Sequence, residues 1–245
     1  MLSLIKKEVN YFFSSLLGIV ILITFLVVNS LFIWAVPINN YLNVFSSGYA
    51  TLEPLFTLAP WMYLILIPAL TMRTICEEKS NGTMELLMTK PITDRQLVLG
   101  KFWSCVVILV LTLIPTLIYV LSISYLAIPE GNVDFGATWG SYLGLVLLGS
   151  AFISIGIFTS SLVENQIISL LFSIVLCIFF YLGFEWIASF GTANSGGYFI
   201  RQFGIQEHYN SISRGLVDTR DLIYYFSLVV FFIALSELKL SSRRW

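Results

Sequence analysis

The sequence predicts an all-α, polytopic membrane protein with six transmembrane helices and no sizeable soluble domain. Of its 245 residues, 58% are hydrophobic and only 11% are charged, whereas about a quarter of the residues of a soluble domain are charged. The mean hydropathy is +0.88. A chain with so few polar residues cannot cover a water-facing surface, so lipid is its expected solvent. We therefore treat residues 1–245 as one transmembrane domain.

The positions of the six spans follow from the uncharged stretches between consecutive charged residues. A transmembrane helix needs about 20 mostly apolar residues, because about 1.5 Å per residue then matches a hydrocarbon core of about 30 Å. The predicted spans cover residues 16–36, 55–72, 102–126, 138–161, 166–190 and 222–236. The sixth span has the shortest uncharged stretch, so its ends are the least defined by charge.

The distribution of basic residues predicts the orientation. With six spans, both termini lie on the same side of the membrane. Ten basic residues fall on that side: Lys6, Lys7, Arg73, Lys79, Lys90, Arg95, Lys101, Lys239, Arg243 and Arg244. Only Arg201, Arg214 and Arg220 fall on the other side. Because basic residues concentrate in cytoplasmic segments, both termini are expected to be cytoplasmic.

The segment before the first span has the pattern of an amphipathic helix. Its apolar residues recur at spacings of three and four: Leu2, Ile5, Val9, Phe12 and Leu16. Its other face is polar: Ser3, Lys6, Lys7, Asn10 and Ser14. This pattern predicts a helix in the membrane interface, with its lysines toward lipid phosphates. The alternative is a simple extension of the first span.

A second amphipathic helix is predicted in the loop between the second and third spans. Asn81-Gly82 is a turn signal, Thr83 is a suitable N-cap and Pro91 ends the helix. Its apolar face carries Met84, Leu87 and Met88. Such a helix lies on lipid or docks in a groove of another protein. The alternative is a solvated connection between two spans.

Several kinds of chemistry have no sequence signal. The only histidine is His208, and Cys76, Cys105 and Cys177 fit no zinc-binding spacing. A phosphate-binding G-x-x-x-x-G-K-[ST] motif is missing, since Phe102 follows Gly100-Lys101. With a net charge of −1, nothing favours a nucleic-acid partner. We expect no catalytic, cofactor or metal site, and therefore no enzyme.

The spans themselves carry few functional signals. Ion-coupled carriers usually bury ionisable groups in mid-membrane, and the nearest candidate, Glu185, falls near the end of the fifth span. A row of small residues in the fourth span starts with Gly140 and Gly144. Small residues allow close helix packing in lipid, either within one chain or between subunits.

The loop after the second span resembles a known family. The pattern Glu77-Glu78-Lys79-x-x-Gly82-Thr83-x-Glu85-Leu86-Leu87, followed by Pro91 and Gly100-Lys101, resembles the corresponding loop of ABC-2-type transporter permeases. The segment 211–221 is similar to a subgroup of these permeases associated with bacterial gliding motility. The likeness extends over essentially the whole chain.

The resemblance implies one subunit of an ATP-driven exporter in a bacterial inner membrane. It implies a separate ABC ATPase, docked on a coupling helix between the second and third spans, and a second permease subunit, identical or related. The implied coupling residues are Glu77, Glu78, Lys79, Gly82, Thr83, Met84, Glu85, Leu86, Leu87, Met88 and Pro91. The transported substrate stays open. Two alternatives remain: a membrane scaffold that anchors a motility or secretion machine, and a carrier driven by an ion gradient.

Overall fold

The computed structural model describes residues 2–36, 43–84, 93–190, 197 and 200–242. Within these ranges the chain is helical and contains no strand. Six helical segments are long and apolar enough to cross a membrane, namely Leu16–Ala35, Glu53–Ser80, Asp94–Leu126, Phe135–Leu162, Gln166–Ser189 and Thr219–Ser241. These segments are called the first to the sixth span below, except that the name second span is kept for the helix Glu53–Thr71, because a turn at residues 72–75 separates it from the short helix Cys76–Ser80. The predicted all-α architecture with six membrane-spanning helices is confirmed.

The fourth span forms the centre of the bundle. In its most apolar window 72% of the residues are buried, against 22% in the first and fifth spans. It contacts the second, third, fifth and sixth spans, whereas the first span packs on the second. A displacement of the fourth span would therefore change its contacts with four of the other five spans.

The small residues of the fourth span serve packing within the chain. A Cβ atom added at Gly149 would lie 2.4 Å from Cδ2 of Leu109 in the third span. At Gly156 it would lie 2.0 Å from Oγ1 of Thr71 in the second span. Of the two interpretations of this row, the structure supports packing inside one chain.

Prolines interrupt the regular hydrogen bonding of two spans. Pro60 lies inside the second span and has no N–H group, so the carbonyl of Phe56 loses its usual helical donor. The hydroxyl of Tyr209 donates to this carbonyl at 2.6 Å. In the third span, a short 3₁₀ turn at Ile114–Thr116 contains Pro115 and separates the helices Asp94–Leu113 and Leu117–Leu126.

The N-terminal helix, Leu2–Ser14, is an element separate from the first span. Ser15 has an extended backbone, and its hydroxyl accepts from the N–H of Gly18 at 3.0 Å, which caps the first span. The N-terminal helix packs against the third span: a Cβ added at Gly100 would lie 2.6 Å from Cδ2 of Leu4. The end of the bundle that carries this helix is called the N-terminal end.

Another short amphipathic helix, Ile205–Ile212, lies at the opposite end of the bundle. Its apolar residues Ile205, Tyr209 and Ile212 are buried against the spans. Its C-terminal extension is also fixed, because the hydroxyl of Ser141 donates to the carbonyl of Ser213 at 2.8 Å. Further short helices cover Val44–Ser47 and Cys76–Ser80, and the helix Phe184–Phe190 continues the fifth span.

The helices extend beyond the apolar stretches that predict them. The third span begins at Asp94 after a capping box formed by Thr93 and Gln96, well before the predicted start at residue 102. The sixth begins at Thr219, where the side chain of Asp218 accepts from the N–H of Arg220. Hydropathy marks only the lipid-facing part of a helix, whereas capping residues mark its ends.

Candidate coupling site at the N-terminal end of the bundle

The segment after the second span holds the predicted coupling residues. Glu77, Glu78 and Lys79 lie on the short helix Cys76–Ser80. Gly82 follows in a left-handed turn with φ of +67°, which glycine adopts without steric cost. Five of the predicted residues lie outside the described part of the chain, namely Glu85, Leu86, Leu87, Met88 and Pro91.

Thr83 and Met84 are the last described residues of this segment. The hydroxyl of Thr83 donates to the carbonyl of Glu78 at 3.3 Å, near the end of the preceding helix; its role as an N-cap stays a prediction. Met84 is only 5% exposed and belongs to the hydrophobic core. Within the predicted apolar face, Met84 therefore anchors the segment to its own bundle.

The short helix Cys76–Ser80 is bonded to the end of the fourth span. The hydroxyl oxygen of Ser160 accepts from the backbone N–H groups of Ile75 at 3.1 Å and Cys76 at 3.0 Å. The same hydroxyl donates to the carbonyl of Met72 at 3.2 Å. The ammonium group of Lys79 donates to the carbonyl of Ser161. These bonds supply acceptors for N–H groups that a helix start would otherwise leave without partners.

A buried cluster of charges, the Lys101 triad, joins the same helix to two further elements. Lys101 in the third span is 1% exposed. Its Nζ atom lies 2.9 Å from Oε2 of Glu78 and 3.4 Å from Oε1 of Glu8 in the N-terminal helix. It also donates to the carbonyl of Thr74. A buried ammonium group is tolerated because these carboxylates and the carbonyl replace its hydration.

Tyr11 makes a second link between the N-terminal helix and the short helix. Its hydroxyl donates to Oε1 of Glu77 at 3.2 Å. The negative charge of Glu77 raises the pKa of the Tyr11 phenol above its ordinary value. Tyr11 remains 49% exposed, so this bond adds less than the buried triad. All three side chains of the Glu77-Glu78-Lys79 sequence thus contact their own chain.

Four residues of this site have no place among the sequence-predicted coupling residues: Glu8, Tyr11, Lys101 and Ser160. For two of them, Glu8 and Lys101, the sequence contains a feature that could have indicated a role. Glu8 is the only acidic residue before Glu53, on a segment that otherwise carries lysines. Lys101 belongs to the Gly100-Lys101 pair of the family-like pattern and is the last charge before a long apolar stretch. Tyr11 and Ser160 give no such signal.

The only histidine belongs to the opposite end of the bundle. Nδ1 of His208 lies 2.7 Å from Oδ1 of Asp221, and Nε2 lies 2.8 Å from the carbonyl oxygen of Gln202. The ring also stacks on Tyr224 with 4.0 Å between ring centroids. These contacts join the helix Ile205–Ile212 to the start of the sixth span.

The comparison with protein families agrees with this architecture. A family profile described as "ABC-2 family transporter protein" matches residues 2–240. The chain belongs to this family. As an ABC-2 family member it is a multi-pass membrane component of an ABC transporter, and the six spans form a permease. A comparison of the permease with curated proteins finds no match.

Proposed function

We propose that this permease works with a separate ABC ATPase, which docks on the loop between the second and third spans. The observation that supports the proposal most directly is the attachment of the start of that loop. Its first helix, Cys76–Ser80, is bonded to the fourth span through Ser160 and to the third span through Lys101. A partner that moves this loop would therefore act on two spans at once.

The buried triad gives the attachment its stiffness. Electrostatic attraction between unit charges strengthens as the surrounding dielectric constant falls, and Lys101 is almost completely buried. Separating it from Glu78 or Glu8 would leave charges without partners in a poorly solvated place. We infer that the N-terminal helix, the short helix and the start of the third span move as one unit.

The partner contact is assigned to the next part of the loop. On the predicted apolar face, Met84 is already buried in the bundle, which leaves Leu87 and Met88 for the ATPase. Complete burial of each of these side chains contributes about 1.5–3 kcal/mol. We propose that residues 83–90 form the coupling helix and that these two side chains enter a groove of the ATPase.

Three further parts of the proposal rest on less direct observations. The excess of basic residues at the N-terminal end supports cytoplasmic termini in a bacterial inner membrane. A second permease subunit, identical or related, would cover part of the poorly buried first and fifth spans. The segment 211–221 supports a place in the gliding-motility subgroup.

The Leu87→Asp variant tests the docking contact. The loop lies outside the apolar spans, so membrane insertion should be unchanged. A charge in an apolar groove should reduce retention of the ATPase in a pull-down from membranes by tenfold or more, because the loss of roughly 1.5–3 kcal/mol corresponds to at least that factor.

The matched control places the same charge at the opposite end of the bundle. Ser211→Asp should retain the ATPase at the wild-type level when expression is equal. If Leu87→Asp also retained the ATPase at that level, residues 83–90 would not be the coupling element, and the loop would be a solvated connection.

A further inference from the structure

A cavity of about 360 Å³ lies between the N-terminal helix and the first three spans. Its rim is polar and includes Lys7, Tyr11, Arg73 and Glu77, together with the Lys101 triad. Its floor is mostly apolar, and includes Phe12, Leu17, Leu70, Cys105 and Ile108. The two serines beside them, Ser15 and Ser104, donate their hydroxyl groups to backbone carbonyls. The proposed docking of an ATPase uses none of the floor residues, so the cavity needs another explanation.

Polarity in the cavity changes with depth along the third span. Cys105 and Ile108 follow Lys101 on one continuous helix. At about 1.5 Å per residue they lie about 6 Å and about 10 Å deeper than Lys101. On the second span, Leu70 likewise precedes Arg73 by about one helical turn. Charges therefore line the end near the bundle surface and apolar groups line the end toward the membrane interior, which is the order of head group and acyl chain in a lipid.

The Nε atom of Arg73, on the rim, has no acceptor within the described part of the chain. This atom is buried, and none of the ion pairs found there includes Arg73. The neighbouring carboxylates have other partners, since Lys101 pairs with Glu8 and Glu78 and Tyr11 donates to Glu77. A buried donor without an acceptor is unfavourable, which indicates an acceptor from outside the chain.

We propose that this cavity binds a glycerophospholipid from the adjoining leaflet, with the phosphate on Arg73 and an acyl chain on the apolar floor. A guanidinium group suits a phosphate because it donates two parallel hydrogen bonds to the oxygens. The formal charges of the lining cancel: Lys7, Arg73 and Lys101 against Glu8, Glu77 and Glu78. Binding therefore depends on the local guanidinium contact, and a zwitterionic phospholipid suffices. The site requires no ATPase.

Photolabelling of the full-length permease in detergent micelles tests the proposal, because phospholipid vesicles would themselves supply the ligand. The two probes carry the same diazirine acyl chain, one on phosphatidylethanolamine and one on diacylglycerol, which has no phosphate. We expect the phospholipid probe to label the peptide with Cys105 and Ile108. Labelling should fall roughly tenfold in Arg73→Gln, because a charge-assisted hydrogen bond is lost, and most of it should remain in Arg73→Lys. The control Arg220→Gln changes an exposed arginine at the opposite end and should leave labelling unchanged.

Any one of four results would overturn the proposal. Equal labelling by the two probes, or labelling unaffected by Arg73→Gln, would mean that the floor contacts any acyl chain without a phosphate contact at Arg73. Displacement of the probe by millimolar inorganic phosphate would assign Arg73 to a small anion. If Arg73→Gln does not accumulate in the membrane, competition on the wild-type protein decides: unlabelled phospholipid should displace the probe and unlabelled diacylglycerol should not, and the reverse would refute the lipid site.

Discussion

At the scale of single residues, Lys101 connects more of the molecule than any neighbouring charge. Its ammonium group meets carboxylates from the N-terminal helix and from the short helix after the second span. Glu8 and Glu78 keep 18% and 14% of their side-chain surface exposed, so water shares in their solvation. The ammonium group of Lys101 is almost inaccessible to water, so protein groups must replace its hydration.

The Lys101→Met variant should therefore destabilise the permease. It leaves two carboxylates close together without their cation, and breaking a buried ion pair from one side costs about 3–5 kcal/mol. Partial exposure of the glutamates places the expected loss at the lower end of that range. The measurement is the apparent melting temperature in detergent, followed by size-exclusion chromatography. Lys239→Met removes an exposed lysine of the sixth span and should leave the melting temperature unchanged; an equal effect of both variants would mean that the triad adds nothing specific.

Tyr209 and Pro60 form a second pair whose contributions can be separated. The hydroxyl of Tyr209 supplies the donor that Pro60 cannot give to the Phe56 carbonyl. Tyr209→Phe should lower the stability by about 1–3 kcal/mol, because a buried acceptor is left without a partner. Pro60→Ala restores an N–H group, so the same Tyr209→Phe change should cost less in that background. A double-mutant cycle of melting temperatures measures this coupling, and additive effects would contradict the compensation.

At the scale of elements, close packing of the fourth span fixes its neighbours. Gly156→Ala should lower the stability by about 1–3 kcal/mol, since the new methyl group overlaps with Thr71 and overpacking has costs of that size. Gly136→Ala is the control, because its Cβ would meet only the end of the Asp134 side chain, at 3.3 Å. Melting temperature and oligomeric state are measured together. Dissociation of a complex by Gly156→Ala, with the subunit's own melting temperature unchanged, would instead support a subunit interface.

The elements were predictable from the sequence to different degrees. The number of spans follows from hydropathy because lipid imposes one length on every spanning helix. The separate N-terminal helix also follows, because its polar face excludes burial in lipid. The ends of the helices depend on capping residues such as Thr93 and Asp218, to which a hydropathy count is insensitive. The partners of Glu78 and Lys79 were not predictable, because they lie on other spans and a local pattern contains no information on them.

At the scale of the whole molecule, the proposed coupling depends on which side of the membrane the N-terminal end faces. Contacts among Glu8, Glu78 and Lys101 place the N-terminal helix, the loop after the second span and the start of the third span at one end. Most basic residues of the chain belong to these segments and to the C-terminus. The basic residues are therefore concentrated at one end of the bundle. Because basic residues favour the cytoplasmic side, we expect that end to be cytoplasmic.

Cysteine labelling in intact cells tests this orientation. The three native cysteines are buried, so an impermeant maleimide should give little background without their removal. Val217→Cys, at a position 45% exposed at the opposite end, should react in intact cells. Trp245→Cys should react only after permeabilisation, because the C-terminus shares a side with the N-terminal helix. The reverse pattern would place residues 73–93 outside the cell, where ATP is scarce and no ABC ATPase could dock. Orientation and the proposed docking loop would then fail together, whereas the internal contacts of Lys101 and Ser160 would stand.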